Sequence, residues 1–358
     1  MQTRFGKSLI LICIFASALT ALAQSGRIKP TETPTPAPRP RIVYPPVEIT
    51  AQKPQPKTTP TPTPKIEEND DDVIRVESAL VPIPVSVTDA AGKAITTLKL
   101  EDFELFVNGK QAEISHLARS ETPVRLAMLF DNSSSVTIAR EFEKDAAVKF
   151  FKRVLRPAKD LAALFSVSTG TRLEQPLTKN VSQLTDAIEN FPVPQGATAL
   201  LDGIIKAADY LKEVEGRRVI VIVSDGDDTI SDATFEQAVQ AVQAADCQVY
   251  VVKTTDFENF KRTGIRGGNA NIRALTAERR MQELALQTGG AVYSPIDERE
   301  LDAAFNRISA ELSEQYILDY YPENEAANKG ELRTISLKIK RRENLTVRTR
   351  KGYFISKK

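Results

Sequence analysis

The run Arg218-Val219-Ile220-Val221-Ile222-Val223 is apolar without alternation and leads into Ser224-Asp225-Gly226. A strand with no polar face must be covered on both sides, which places it at the centre of a parallel sheet between two helical layers. The neighbouring sequence has the matching rhythm. Residues 124–130 and 161–166 read as further buried strands, 171–178 as an antiparallel edge strand, and 247–252 and 291–294 as the rest. Helical patterns lie between them. Phe142, Ala146, Ala147, Phe150, Phe151 and Val154 form one apolar stripe, and Leu201, Ile204, Ile205, Ala208 and Leu211 form another. Further helices are expected near 235–245, 278–287 and 301–312. Strands alternating with amphipathic helices specify a doubly wound, mostly parallel α/β sheet of Rossmann-like kind.

The flanks follow a period of two instead. Val81, Ile83, Val85 and Val87 alternate with polar or proline positions, and Asp89-Ala90-Ala91-Gly92 supplies a turn. Phe103, Leu105 and Val107 alternate again before Asn108-Gly109, a strong hairpin signal. Past the last helix, residues 316–321, 335–339 and 345–350 are strand candidates. Neither flank has enough strands to stand by itself. The economical arrangement is one β-sandwich built from both flanks, with the α/β domain inserted between them; two independent small sheets are the alternative.

Arg4 and Lys7 precede an apolar run over 9–19 and then Ala21-Leu22-Ala23, the layout of a secretory signal cleaved after Ala23. The run is shorter than the roughly 18 to 20 residues of a spanning helix, which favours cleavage over a retained anchor. The expected location is secreted, periplasmic or within a bacterial cell envelope, with no integral membrane span after cleavage. Residues 29–65 are dominated by Pro and Thr and lack apolar periodicity, so they cannot build a core. As polyproline II, at about 3.1 Å per residue, this stalk would reach on the order of 100 Å; a plain disordered leader is the alternative. Cys13 falls within the signal and leaves Cys247 alone, so no intrachain disulfide is available and Cys247 reads as a packing residue of its strand, with a free reactive thiol as the alternative. The 48 basic and 47 acidic side chains create no global field that would recruit nucleic acid or an anionic membrane.

Chemistry concentrates at three places. Asp131-Asn132-Ser133-Ser134-Ser135 closes the 124–130 strand, Gly196-Ala197-Thr198 precedes a helix, and Asp225-Gly226 closes the 218–223 strand. Ligands of open α/β sheets bind outside the carboxyl ends of the strands, so these segments should meet on one rim. Asp131, Ser133, Ser135, Thr198 and Asp225 then offer five hard oxygen donors, the set a small divalent cation asks for: Mg²⁺, with Mn²⁺ and Ca²⁺ as alternatives. An acidic side chain from a protein partner is the natural remaining ligand. Asp227 and Asp228 are expected to be solvated turn or helix-start charges.

At these residues the sequence resembles the von Willebrand factor A domain with its metal-ion-dependent adhesion site, whose pattern is Asp-x-Ser-x-Ser, a separated Thr and a separated Asp-Gly. Over about residues 73–355 the flanks, including Glu101-Asp102-Phe103-Glu104-Leu105-Phe106-Val107-Asn108-Gly109-Lys110 and Lys351-Gly352-Tyr353, resemble the von Willebrand factor A-related proteins of Acidobacteria. Ser134 and Val136 stand where that family often has Gly and Met; neither is expected to ligate. The resemblance implies a binding or adhesion module without a reaction of its own, and a last helix that shifts on ligand binding. The expected organisation is a signal at 1–23, the stalk at 24–72, sandwich strands at 73–122, the A domain at 123–313 and the closing strands at 314–358.

Catalysis has little to build on. His116 is the single histidine and precedes the first rim strand, so Ser-His-Asp, Cys-His and multi-His zinc sites are excluded by composition. There is no Gly-x-x-x-x-Gly-Lys loop and no Gly-x-Ser-x-Gly elbow. The basic clusters at 338–342 and 348–351 read as solvated strand faces, not as a nucleic-acid interface. Residues 256–277 carry Lys261, Arg262, Arg266 and Arg273 among glycines and read as a basic loop beside the metal rim, or as a featureless one. The expected function is an exported, metal-dependent protein-binding module; a cell-envelope scaffold or assembly factor with a structural metal is the alternative.

Overall fold

The computed structural model describes residues 80–119, 121–136, 140–266, 271–322, 330–340 and 344–355. The chain divides into two units, residues 1–71 and 72–358, and every described residue belongs to the second. The expected signal and stalk lie outside the described residues.

Four strands come first: β1 (Val81–Thr88), β2 (Phe103–Val107), β3 (Lys110–Ala112) and β4 (His116–Arg119). The central domain follows as β5 (Val124–Asp131), α1 (Arg140–Val154), β6 (Leu161–Val167), β7 (Thr171–Thr178), α2 (Val181–Glu189), α3 (Leu200–Lys212), β8 (Arg217–Ser224), α4 (Phe235–Ala244), β9 (Cys247–Lys253), α5 (Thr255–Thr263), α6 (Ile272–Thr288), β10 (Val292–Tyr293) and α7 (Glu298–Glu314). Then come β11 (Tyr316–Tyr320), β12 (Leu332–Ile339), β13 (Thr346–Thr349) and β14 (Gly352–Phe354).

The central sheet runs β10-β9-β8-β5-β6-β7, parallel throughout except for β7, which lies antiparallel on the edge beside β6. Alternation along β5 sorts its side chains between two cores. Leu126, Met128 and Phe130 pack with Phe150 and Phe151 of α1 and Phe305 and Ile308 of α7. Ala127 and Leu129 pack on the other face with Ile204 and Ala208 of α3, Val242 of α4 and Leu284 of α6. Each fully buried aliphatic or aromatic side chain contributes about 1.5–3 kcal/mol through the area it removes from water.

Three local expectations change. Phe142 is 41% exposed and stands edge-on to Phe257 of α5, because Arg140 and Glu143 continue the buried stripe of α1 and leave Phe142 at its margin. A nine-residue helix, α2, is held by only two buried anchors, Leu184 and Ile188, too few for a periodicity to stand out. The 256–277 stretch is not a loop throughout. It begins as α5, seated by the buried Phe257, and α6 starts at Ile272, where the Asn271 side chain accepts from the Ala274 N–H.

The flanks make two four-stranded antiparallel sheets, β13-β1-β11-β4 and β14-β12-β2-β3. Each takes strands from both sides of the central domain. Ile83, Val85, Leu105, Leu318, Tyr320 and Ile335 share one core between the sheets, so the flanks form one sandwich, not two separate sheets. Asn108 and Gly109 turn the β2–β3 hairpin with φ of 49° and 76°, the left-handed pair that a two-residue type I′ turn requires. Pro82 and Pro84 interrupt neither sheet contact. They face the β13 side of β1, and β13 pairs only from Val85 onward, so no ladder needs their missing N–H. Their carbonyls accept instead from the Arg350 guanidinium (2.7 Å) and the Thr349 hydroxyl (3.0 Å).

A polar knot joins sandwich and central domain. The buried Glu311 carboxylate on α7 accepts from Ser86 of β1 (2.6 Å), Tyr250 of β9 (2.9 Å) and Arg348 of β13. Gln315, the one residue between α7 and β11, donates to Ser86 (2.7 Å), Tyr250 (3.1 Å) and Gln248 (3.2 Å). Close by, Gly289 has φ of 79°, and a Cβ there would lie 2.6 Å from the Arg350 nitrogen, so the β13–β14 turn can sit directly on the end of α6.

Replacing Glu311 with Gln strands the Arg348 cation at this joint; a loss of about 3 kcal/mol is expected in urea unfolding. A loss below about 1 kcal/mol would mean that Arg348 finds solvent instead. Asp160 gives a pH-dependent counterpart. Burial alone would raise its pKa, but hydrogen bonds from the Arg156 guanidinium and the backbone N–H groups of Val124 and Arg156 outweigh burial and hold it below the ordinary 3.8. The folded state therefore favours the carboxylate, and its contribution is full above pH 3.8 and lost as pH falls through the lower folded value. Asp160→Asn is expected to cost about 2 kcal/mol at pH 7, with the difference from the parent narrowing in unfolding curves taken at successively lower pH.

Candidate metal centre

The strand order reverses between β5 and β8, which are neighbours in the sheet but successive in neither chain direction. Such a switch point leaves a crevice at the carboxyl ends of the two strands. Asp131 ends β5 and Asp225 follows β8 directly.

Asp131 is 1% exposed. Its carboxylate accepts from the Ser224 hydroxyl (2.7 Å) and the Ser133 backbone N–H (2.9 Å). The Ser133 and Ser135 hydroxyls lie 2.9 Å apart, and the Ser135 hydroxyl hydrogen-bonds the Asp225 carboxylate. Four of the five expected donors thus stand in one hydrogen-bonded chain running from Asp131 to Asp225. Thr198, 4% exposed, reaches the same rim through its neighbours. The Ser134 backbone N–H and hydroxyl both donate to the Gly196 carbonyl (3.2 and 3.0 Å), and the Gln195 N–H donates to the Asn132 carbonyl (3.1 Å). From its other side, the Thr198 N–H donates to the Thr229 hydroxyl (2.8 Å) and the Thr198 carbonyl accepts from the Thr229 N–H (2.8 Å).

The electrostatics are those of anions short of a counterion. Burial and the nearby Asp225 charge raise Asp131 to about 6, against the lowering effect of its hydrogen bonds. Burial also raises Asp225. A third acid, Glu143 of α1, is 1% exposed, and one of its carboxylate oxygens has no hydrogen-bond partner. Burial lifts its pKa well above the ordinary value, with the charges of Glu258 and Asp131 adding to the effect. Among the described residues no three His, Cys, Asp or Glu side chains gather into a metal-binding cluster. A cation at this rim would therefore rest on two carboxylates and the hydroxyls, a hard-oxygen set that suits Mg²⁺. Buried, mutually repelling carboxylates fit a cation well, since its charge removes the penalty that raises them.

Some supporting residues were not legible as such. Arg140 and Glu143 lie at helical spacing on the buried stripe of α1, and charged residues on an apolar stripe were the available signal. Arg140 donates to the Asn132 side chain and to the Pro192 carbonyl (2.7 Å), strapping the loop before Thr198 to the first rim segment. Asp228 does serve a helix start, though of α3 and not of the helix next in sequence: it accepts from the Leu200 and Leu201 N–H groups (2.8 and 3.2 Å). Gly226 turns with φ of 81°, where a Cβ would press on Met281 at 3.1 Å.

Acids from α7 and from the turn after β8 meet most of the cations of the basic stretch beside the rim. Arg273 pairs with Asp227 at 2.7 Å, Arg266 with Asp297 and Glu300, and Lys261 with Glu298, while Arg262 donates to Asn259. Three of the four cations are thus paired with acids, and Arg262 is met only by a neutral amide. His116 sits exposed on β4 in the sandwich, in register with Asp319 of β11, so imidazole chemistry does not reach the rim.

Residues 126–227 match the family model described as the von Willebrand factor type A domain. No curated protein matches the chain. Among solved structures, it is similar to an aerotolerance-related membrane protein from Bacteroides fragilis, with 18% identity over 53% of this chain and 98% of that one and a TM-score of 0.41. It is also similar to a von Willebrand factor type A protein from Catenulispora acidiphila, with 12% identity, 72% and 74% coverage and a TM-score of 0.44. A pilus adhesin from Lactobacillus rhamnosus GG gives 9% identity, 71% and 41% coverage and a TM-score of 0.43. The span matched by the family model runs from β5 to the turn after β8 and includes all five rim donors, and the chain thus carries a von Willebrand factor type A domain.

Proposed function

We propose that this rim is a metal-dependent protein-binding site, and that the chain acts outside the cytoplasm as an adhesion or recognition module. Von Willebrand factor type A domains commonly mediate protein–protein interaction or adhesion. The observation that supports the metal-dependent reading best is the hydrogen-bonded chain from Asp131 through Ser133 and Ser135 to Asp225, with both terminal carboxylates raised. Asp131, Ser133, Ser135, Thr198 and Asp225 would hold the cation, Mg²⁺ before Mn²⁺ or Ca²⁺. The bound ion supplies an electrophilic position for a carboxylate of the partner. The protein groups do the rest: Ser224 and the Ser133 N–H aim Asp131, Arg140 and Asp228 fix the two loops, and the paired Arg273 and Lys261 keep the surrounding charge balanced.

Export is supported by the charged, apolar and small-residue succession at Arg4, Lys7 and Ala21 to Ala23, and among the described residues no helix is long and apolar enough to cross a membrane. A binding role without catalysis agrees with the position of the single histidine on the sandwich. The second reading, an envelope scaffold in which the metal only stabilises the fold, draws on the same internal hydrogen bonds, which tie the rim together.

Mg²⁺ added to chelator-treated protein is expected to raise stability by about 2.7 kcal/mol at a hundred times its dissociation constant, seen as a shift of the unfolding midpoint. Asp131→Ala should abolish that shift. In pull-downs, the partner captured by the parent should be lost both with EDTA and with Asp131→Ala while circular dichroism stays unchanged. Partner capture that survives EDTA would favour the scaffold reading, and an equal Mg²⁺ response in parent and variant would remove the metal from these residues altogether.

A further inference from the structure

Twelve large apolar side chains are exposed among the described residues. Exposed apolar residues scattered singly are ordinary on a folded surface. Four of these twelve are not scattered: Val193, Ile230, Ile272 and Leu275 stand on segments bonded to the metal rim. Val193 lies between Pro192 and Pro194 in the segment leading to Thr198. The Pro194 ring keeps Val193 in extended backbone, and the Pro192 carbonyl accepts from Arg140 (2.7 Å) and the Asn132 side-chain amide (3.3 Å). Ile230 follows the turn after β8, and its N–H donates to the Thr198 carbonyl (3.3 Å). On the Asp225 side of the site, Ile272 and Leu275 occupy the start of α6. That start is fixed by the Asn271 cap and by the pairing of Arg273 with Asp227, and Ala277 and Met281 of the same helix lie against Gly226.

Val193 is 78% exposed and Ile272 85%, and each is carried on backbone that its neighbours already hold in place. Covering such side chains expels water without the entropy cost of ordering a loop. What covers them is set by the cation. A carboxylate drawn to the metal brings the side chains around it down onto the surface on either side, and in an extended segment the residues two before and two after it share its face. A charged side chain laid on Val193 or Ile272 would lose hydration and gain no partner, since Arg273, next to Ile272, is already paired with Asp227. Apolar side chains lose nothing there and add buried area.

We propose that the partner of this rim is a protein segment whose metal-binding Asp or Glu is flanked by bulky apolar side chains, which pack on Val193 and Ile230 at the Thr198 side and on Ile272 and Leu275 at the Asp225 side. This selectivity rests on the metal-dependent reading of the rim. The cation takes the acid, and the apolar border chooses among acidic segments.

A library of peptides with one fixed Asp and randomised positions on both sides of it, selected on the immobilised full chain in Mg²⁺ and eluted with EDTA, is the direct test. Aliphatic and aromatic residues are expected to be enriched beside the Asp. The enriched peptides are expected to bind Val193→Ser and Ile272→Ser at least about fivefold more weakly than the parent. Both side chains are exposed, so these variants should fold and keep the parent's Mg²⁺ shift of the unfolding midpoint. Selection of charged or small polar residues beside the Asp, or unchanged affinity in both variants, would overturn the proposal while that shift persists. A parent midpoint that does not move with Mg²⁺, with no peptide eluted by EDTA, would overturn the metal reading and this selectivity with it. Phosphatidylglycerol vesicles form a last arm: Mg²⁺-dependent vesicle binding that is lost in Ile272→Ser, without peptide selectivity, would assign the apolar border to a lipid surface instead.

Discussion

The pairing of β1 with β11 is the constraint on which the rest of the molecule depends. Val81 to Val85 lie antiparallel to Tyr316 to Tyr320, so the chain enters and leaves the inserted domain through adjacent strands of one sheet. The central domain is closed at its base by the sandwich, and the sandwich needs β11, which follows the central domain in the chain, to be complete. Glu311 and Gln315 make this dependence chemical. Their partners come from β1, β9 and β13, and buried polar groups of this kind cost free energy unless every partner is in place. The knot therefore selects the fully assembled arrangement over partly docked ones.

At the opposite end the same economy is reversed. The rim gathers buried carboxylates whose charges repel, and no described lysine or arginine enters the chain of groups between Asp131 and Asp225. Lys253 is buried nearby but is committed to Glu278 at 2.8 Å. Buried acids raised by burial in a strand-end crevice are a pattern that clusters at functional sites. The hydrophobic cores on both faces of the sheet, with Phe130 and Leu129 directly beneath Asp131, supply the rigidity that holds it.

Much of this was legible from residue order. The unbroken apolar run at 218–223 required a central strand, and strand-end acids pointed to one sheet edge because side-chain period and strand direction follow from local chemistry. What escaped the sequence was tertiary choice. Arg140 and Glu143 fall on the buried stripe of α1, but nothing local says that Asn132, Pro192 and the rim will lie against them. Asp228 caps a helix that precedes it by nearly thirty positions, a bond created only by the fold. The stretch after β9 looked like a loop because α5 rests on one aromatic anchor, Phe257, and its cations looked unpaired because Glu298, Glu300 and Asp297 arrive from α7 much later in the chain.

The single-residue passage from α7 into β11 has a mechanical meaning. A pull exerted along α7 enters β11 at its first residue, Tyr316, and a pull exerted at Val81 enters β1 at its own first residue. Val81 faces Tyr320 and Val85 faces Tyr316, so the two strands are tugged from opposite ends. Their rungs are then loaded side by side in shear and must yield together, instead of opening one after another as in a zipper.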